Sequence, residues 1–146
     1  MQEKETGVAL QKRGCNCAQA VLMTMKDVSG LTLEEACRVA CGFGGGMRAG
    51  ELCGAATGAV MAIGMALGNR EPEDAQTRDR AYAAVIEFNR RFKERFGSLI
   101  CRELLGADSS TPEGKKLLAD HPEKKAVCPS LITGAERIAR DIIEGK

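Results

Sequence analysis

Residues 52–69 contain no Asp, Glu, Lys or Arg, and this uncharged stretch constrains the fold more than any other feature of the sequence. A membrane-spanning helix needs about 20 strongly apolar residues, and this stretch is shorter and richer in Cys, Gly, Ala and Thr. Glycines at positions 54 and 58, and again at 64 and 68, allow neighbouring backbones to approach closely. We therefore predict that the stretch forms a central helix, buried on every side within a bundle.

Elsewhere, apolar residues recur mostly at three- and four-residue spacing, which is typical of amphipathic helices. No alternating strand pattern and no hairpin signal is found. We predict an all-α fold, a compact bundle of about five to seven helices around the buried Gly/Ala-rich central helix. With 146 residues, the chain is expected to form one domain, 1–146. The predicted helices cover residues 15–28, 33–41, 52–69, 72–96, 101–105, 111–121 and a last segment after residue 129.

Local signals predict several helix ends and faces. Thr32 and Glu35 have the spacing of a capping box, and Pro72 followed by two acids is expected to open the longest helix. On that long helix we predict an inward stripe of Tyr82, Val85, Ile86, Asn89, Phe92 and Phe96. The last helix is predicted to bury Leu131, Ile132, Ala135, Ile138, Ala139, Ile142 and Ile143.

Composition excludes several classes of function. Lys and Arg total 21 against 20 Asp and Glu, and there is no Trp, one Tyr and four Phe, so we expect neither nucleic-acid nor membrane binding. The single histidine, His121, excludes a Cys2His2 zinc finger, and we interpret it as a surface residue closing a helix. The N-terminus is charged and has no signal-peptide pattern, which predicts a cytoplasmic protein.

The seven cysteines are the unusual part of the composition. Because cytosolic thiols are kept reduced, they indicate redox or metal chemistry rather than structural disulfides. Cys53, Cys101 and Cys128 stand at predicted helix starts, with Cys128 expected to be an N-cap and Ser98 a candidate cap for the helix at Cys101. A helix N-terminus stabilises a thiolate, although cysteine can also occupy such a position as a small apolar residue. Cys37 and Cys41 share a predicted helix face, which favours buried packing over a role as added ligands.

Residues 42–47 (GFGGGM), the Gly-rich loop, precede the central helix. The loop lacks the Gly-Lys-Ser/Thr of a phosphate-binding loop and follows a predicted helix rather than a strand, so we reject a nucleotide-binding turn. We expect a flexible, amide-rich segment that crowds Cys53, either to hold an anion or to give a substrate access.

Together these segments resemble the redox-active protein family C_GCAxxG_C_C, in order and over nearly the whole chain (15–143). Residues 53–58 (CGAATG) match the family signature, and the Gly-rich loop is similar to its glycine stretch. The resemblance implies a defining set of Cys17, Cys53, Cys101 and Cys128. The other cysteines, Cys15, Cys37 and Cys41, are then extras. The cysteine blocks that carry the resemblance are residues 16–21 (NCAQAV), 101–105 (CRELL) and 128–129 (CP).

Three functions remain open at this stage. In the first, Cys53 is the attacking thiolate of a thiol oxidoreductase, and Cys17, Cys101 or Cys128 resolves the mixed disulfide. In the second, the same four cysteines bind zinc or an iron–sulfur cluster as cofactor. In the third, the chain is a structural or interaction module without a cofactor. The redox partner, the substrate and a homodimer are left open, and no acid–base pair is evident.

Overall fold

The computed structural model describes residues 5–146, and this part of the chain folds into α-helices joined by short turns. No strand occurs within it, only one isolated antiparallel bridge between Leu52 and Ile100, so the all-α class is confirmed. The prediction omitted the short helices at residues 7–12 and 26–29 as separate elements. The helices are α1 (Gly7–Lys12), α2 (Cys17–Thr24), α3 (Lys26–Ser29), α4 (Leu33–Val39), α5 (Gly54–Leu67), α6 (Ala75–Phe96), α7 (Cys101–Leu105), α8 (Pro112–Asp120) and α9 (Cys128–Ile143).

The uncharged helix α5 lies at the centre and packs against α2, α3, α6 and α9. Its first four alanines are buried, and a Cβ atom at Gly58 would lie only 2.6 Å from the carbonyl oxygen of Ala18 on α2. Glycine is therefore required for this close approach. The prediction that α5 is buried on every side is wrong near its C-terminus, where Gly64 is exposed and Met65 is 52% exposed, because no helix covers that turn.

Helix α6 differs from the prediction in its start and in its buried face. It begins at Ala75 because Asp74 accepts a hydrogen bond from the Thr77 amide (3.1 Å), and Pro72 lies in the preceding turn. Phe92 is buried as predicted, and Val85 and Phe96 pack partly buried against the core. Tyr82 and Ile86 of the predicted stripe are 59% and 68% exposed, whereas Ala81 and Phe88 are buried. The buried face is therefore turned toward Phe88, where α6 packs against α5 and α9.

Other local predictions are confirmed. The Thr32 hydroxyl accepts from the Glu35 amide and the Glu35 carboxylate accepts from the Thr32 amide, both at 3.0 Å, although α4 ends at Val39, earlier than expected. His121 is an exposed residue that ends α8. Helix α1 was not predicted. Thr6 is its N-cap, and the Leu10 side chain is buried in the core. The predicted face of α9 is confirmed, with its last two isoleucines only half-buried.

Within residues 5–146 no helix combines the length and the apolar character that crossing a membrane requires.

Candidate functional site

The four cysteines of the family pattern all lie at the N-termini of helices. Cys17, Cys101 and Cys128 are the first residues of α2, α7 and α9, and Cys53 occupies the N-cap position of α5. At these positions the peptide N–H groups are not used by the helix, and their partial positive charge favours a thiolate. Cys53, Cys101 and Cys128 were predicted to lie at helix starts, and Cys17 was not.

The helix start at Cys17 could have been recognised from its neighbours. The Asn16 side chain accepts from the Gln19 amide (2.9 Å), and the Gln19 side chain accepts from the Asn16 amide (3.0 Å). This reciprocal arrangement is a capping box with Asn in place of Ser or Thr. The Asn-x-x-Gln spacing was therefore the missed signal, and it explains why α2 begins at Cys17 rather than near Cys15.

Two of the expected caps are different in the structure. Cys128 is not an N-cap, because residues 122–127 form a short 3-10 helix that runs directly into α9 and leaves no extended residue at the junction. Ser98 does not cap α7. Its hydroxyl accepts from the Ile100 amide (2.9 Å) and donates to the Glu103 carboxylate.

A short pair of backbone hydrogen bonds brings Cys53 next to Cys101. The Cys53 amide donates to the Leu99 carbonyl (2.7 Å), and the Cys101 amide donates to the Glu51 carbonyl (2.6 Å). These two bonds flank the antiparallel bridge between Leu52 and Ile100. The start of α5 is thereby joined to the start of α7, although they are far apart in sequence.

Cys17 and Cys128 form the second close pair. Cys17 packs on two apolar groups, the main core containing Cys53 and a smaller cluster containing Cys101 and Cys128, and the Cys17 and Cys128 thiols act on each other's pKa. Charges on Cys53, Cys101 and Cys128 all act on the pKa of Cys17. The four side chains therefore lie together; we refer to Cys17, Cys53, Cys101 and Cys128 as the cysteine cluster.

The Gly-rich loop lies against this cluster. Gly46 has a left-handed φ of 65°, and a Cβ atom there would lie 2.5 Å from the Glu51 amide nitrogen and 2.9 Å from the Cys101 Cβ. Only glycine fits such a position. The expected crowding by the loop is thus found at Cys101. Beyond the loop, Arg48 also has a left-handed backbone, with φ 55°.

The four thiols have different proton affinities. The neighbouring Cys17 thiol lowers the pKa of Cys128 to about 7, with help from the positive charge of Lys125 and against the effect of burial. The same interaction raises the pKa of Cys17, and burial raises it further. Cys128 is therefore the member of the cluster that ionises most readily.

Burial dominates at the other two cysteines. It raises the pKa of Cys53, although the amides of Ala56 and Ala55 act in the opposite direction. It also raises the pKa of Cys101 to about 11, with further increases from Cys53 and Cys128 and an opposing effect from Arg48. Attack by Cys53 stays a prediction, and the helix amides on which it was based are outweighed by desolvation.

The three extra cysteines have other surroundings. Cys15 donates to the Met23 sulfur (3.7 Å), and Gln19 donates to the Cys37 sulfur (3.4 Å). Cys41 is exposed and lies in a 3-10 turn after α4, so the expectation of a shared, buried helix face with Cys37 is wrong. The turn forms because α4 ends at Val39.

All seven cysteines have free thiols. In the part of the chain that the structure describes, no three His, Cys, Asp or Glu side chains are placed to hold a metal ion. A metal or iron–sulfur centre on Cys17, Cys53, Cys101 and Cys128 therefore stays a prediction, without support from the described side chains.

An all-α bundle in which four helix N-termini gather free thiols is a cysteine-cluster protein. The family model "Putative redox-active protein (C_GCAxxG_C_C)" matches residues 15–142, and the chain belongs to this family. The resemblance found in the sequence is confirmed. The comparisons with curated proteins and with solved structures gave no match.

Proposed function

We propose that this chain is a thiol–disulfide redox protein whose exchanging pair is Cys17 and Cys128. The observation that carries the proposal is the packing of Cys17, at the start of α2, against the apolar cluster that contains Cys128, at the start of α9. A disulfide requires its sulfurs to approach to about 2.05 Å, and two cysteines that share one cluster are the natural candidates to reach that distance on oxidation.

The electrostatics favour Cys128 over Cys53 as the attacking group. A thiolate, not a thiol, attacks a disulfide, and the optimum attacking thiol has a pKa near the ambient pH. Cys128 meets this condition because Cys17 and Lys125 stabilise its negative charge. Cys53 is 3% exposed and has a raised pKa, so it is a poorer nucleophile near neutral pH.

The proposed reaction has two exchange steps. The Cys128 thiolate attacks one sulfur of a substrate disulfide, which forms a mixed disulfide and releases the other half of the substrate as a thiolate. Cys17 then loses its proton and attacks the Cys128 sulfur. The Cys17–Cys128 disulfide forms, and the second substrate thiolate leaves and takes up a proton. The substrate gains two electrons, and a dithiol reductant returns the protein to its starting state.

The test makes the same substitution, Cys→Ser, at two different positions. Cys17→Ser keeps a hydroxyl donor to Cys128 but cannot resolve, so it should accumulate the mixed disulfide on Cys128 when treated with bis(2-hydroxyethyl) disulfide. In the unsubstituted protein, peptide mapping should find the Cys17–Cys128 disulfide instead. Cys41→Ser, which alters an exposed cysteine outside the cluster, is the control and should behave as the unsubstituted protein does.

Different mapping results would contradict the proposal. If oxidation linked Cys53 to Cys101 and left Cys17 and Cys128 as thiols, the assigned pair would be wrong. If no member of the cluster formed a disulfide, thiol–disulfide exchange itself would be rejected.

A further inference from the structure

A cavity lined by positive side chains lies beside the cysteine cluster. It has a volume of about 420 Å³ and opens between the turn Gly46–Gly50, helix α8 and the 3-10 helix Pro122–Val127. This volume falls in the range of about 300–1,000 Å³ that is usual for small-molecule sites. Leu118, Ala119 and Pro122 supply its apolar wall.

Three positive side chains from three separate segments line the cavity: Arg48, Lys115 and Lys125. No carboxylate lines it. Among residues 5–146, none of the three cations forms a salt bridge, whereas most other arginines of the chain are paired. Three like charges facing one cavity repel each other, so their placement favours a negatively charged occupant.

Ser109 provides an independent indication of a ligand. Its Oγ atom is buried, and within the described chain it has no hydrogen-bond partner. Leaving a buried hydroxyl without a partner costs free energy, and such groups in native proteins usually have a partner. Ser109 lines the same cavity, and its Oγ lies with the Arg48 guanidinium at one point of the Gly-rich loop: a Cβ atom at Gly45 would be 3.2 Å from the first and 3.0 Å from the second.

Positive charges that line the cavity act on two thiols of the cysteine cluster. The charge of Arg48 acts on Cys101, and that of Lys125 acts on Cys128. Asp108 is the carboxylate that acts on Cys101, and its oxygens face Gly50 and accept from Ser110 rather than lining the cavity.

We propose that this cavity binds the phosphate group of a small molecule. Arg48, Lys115 and Lys125 neutralise its charge, and Ser109 donates a hydrogen bond to one of its oxygens. Arginine and lysine are both common phosphate ligands, and hydrogen bonds to a charged group are stronger than those to a neutral one. The apolar wall accommodates the organic part of the molecule. The proposal does not depend on thiol–disulfide exchange, since a phosphate would bind there whichever cysteines react.

The test is calorimetric titration of the full, reduced chain with sodium phosphate and with glycerol 2-phosphate, at constant ionic strength. We expect saturable binding of both. The double variant Lys115→Gln/Lys125→Gln should bind at least about tenfold more weakly, and Ser109→Ala about three- to tenfold more weakly. An unchanged thermal unfolding midpoint verifies that each variant is folded.

The matched control is Lys93→Gln/Lys116→Gln, which removes the same total charge. Lys116 lies next to Lys115 on α8 without lining the cavity, and Lys93 is an exposed residue of α6. This control should bind phosphate nearly as well as the unsubstituted chain. Equal weakening in both double variants would mean that only net charge matters, and absence of saturable binding would also overturn the proposal. Cys17→Ala should retain phosphate binding, so a failure of the redox proposal is recognised separately.

Discussion

The Cys17 thiol, on the first residue of α2, packs against the apolar cluster that contains Cys128, the first residue of α9. The pKa values of the two thiols move in opposite directions for this reason: that of Cys128 falls to about 7 and that of Cys17 rises. Neither effect is a property of one helix alone. Both depend on two helix N-termini that tertiary packing brings into contact.

Removal of the Cys17 donor should return the pKa of Cys128 toward its ordinary value of 9.0. In Cys17→Ala, the thiolate fraction of Cys128 at neutral pH should fall, because the thiolate loses the thiol that stabilises it. Cys17→Ser retains a donor, so its midpoint should lie between those of the unsubstituted protein and Cys17→Ala. The pH dependence of iodoacetamide labelling at Cys128, measured by peptide mass, gives the midpoints. A midpoint in Cys17→Ala equal to that of the unsubstituted protein would show that Cys17 does not stabilise the thiolate.

Stability should depend on pH through the same pair. Because the folded-state pKa of Cys128 is lower than the unfolded value, the unfolded chain binds more protons between about pH 7 and 9, and the free energy of unfolding should rise over that interval. Above about pH 9 the raised pKa values of Cys17, Cys53 and Cys101 reverse the trend, because the unfolded thiols lose protons that the folded ones keep.

Urea unfolding across this range measures the effect. Cys128→Ser should abolish the rise between about pH 7 and 9, whereas Cys41→Ser should leave it intact. A rise that persists in the Cys128 variant would assign it to other groups.

Two glycines of α5 should respond in opposite ways to an added methyl group. Gly58→Ala should destabilise the fold by about 1–3 kcal/mol, because the new Cβ would meet the Ala18 backbone oxygen and push α2 away. Gly64→Ala should stabilise it by about 0.5–1 kcal/mol, since that position is exposed and has no atom within 4 Å of the added Cβ. Urea unfolding at one pH compares them, and equal effects would contradict the packing of α5 on α2.

The orientation of α6 can be tested with one buried and one exposed apolar residue. Phe88 is fully buried and stacks with Phe92 at 5.7 Å, so Phe88→Ala should cost about 3–5 kcal/mol. Ile86→Ala should change stability by less than about 0.5 kcal/mol, because Ile86 is 68% exposed. Thermal unfolding of both variants measures the difference, and a larger loss at Ile86 would restore the stripe that the sequence predicted.

Several features were predictable because their causes lie within a few residues of one another. The Thr32–Glu35 capping box and the apolar face of α9 depend on neighbouring side chains and on the 3.6-residue period. The four cysteines were also recognised as a set, from motifs in the correct order. The cap at Asn16 also depends on neighbouring residues, and the spacing between Asn16 and Gln19 would have predicted it.

What the sequence alone determined is therefore the all-α class, the uncharged helix at its centre and the family to which the chain belongs. Tertiary structure decided which face of α6 is buried and which thiols lie beside one another, and therefore how the pKa of each thiol shifts. The physical reason is that a helix start depends on interactions across one turn, whereas the pKa of Cys128 depends on a donor from another helix and on the desolvation that packing imposes. A pattern of residues along the chain contains neither the distance between two helices nor the burial of a sulfur atom.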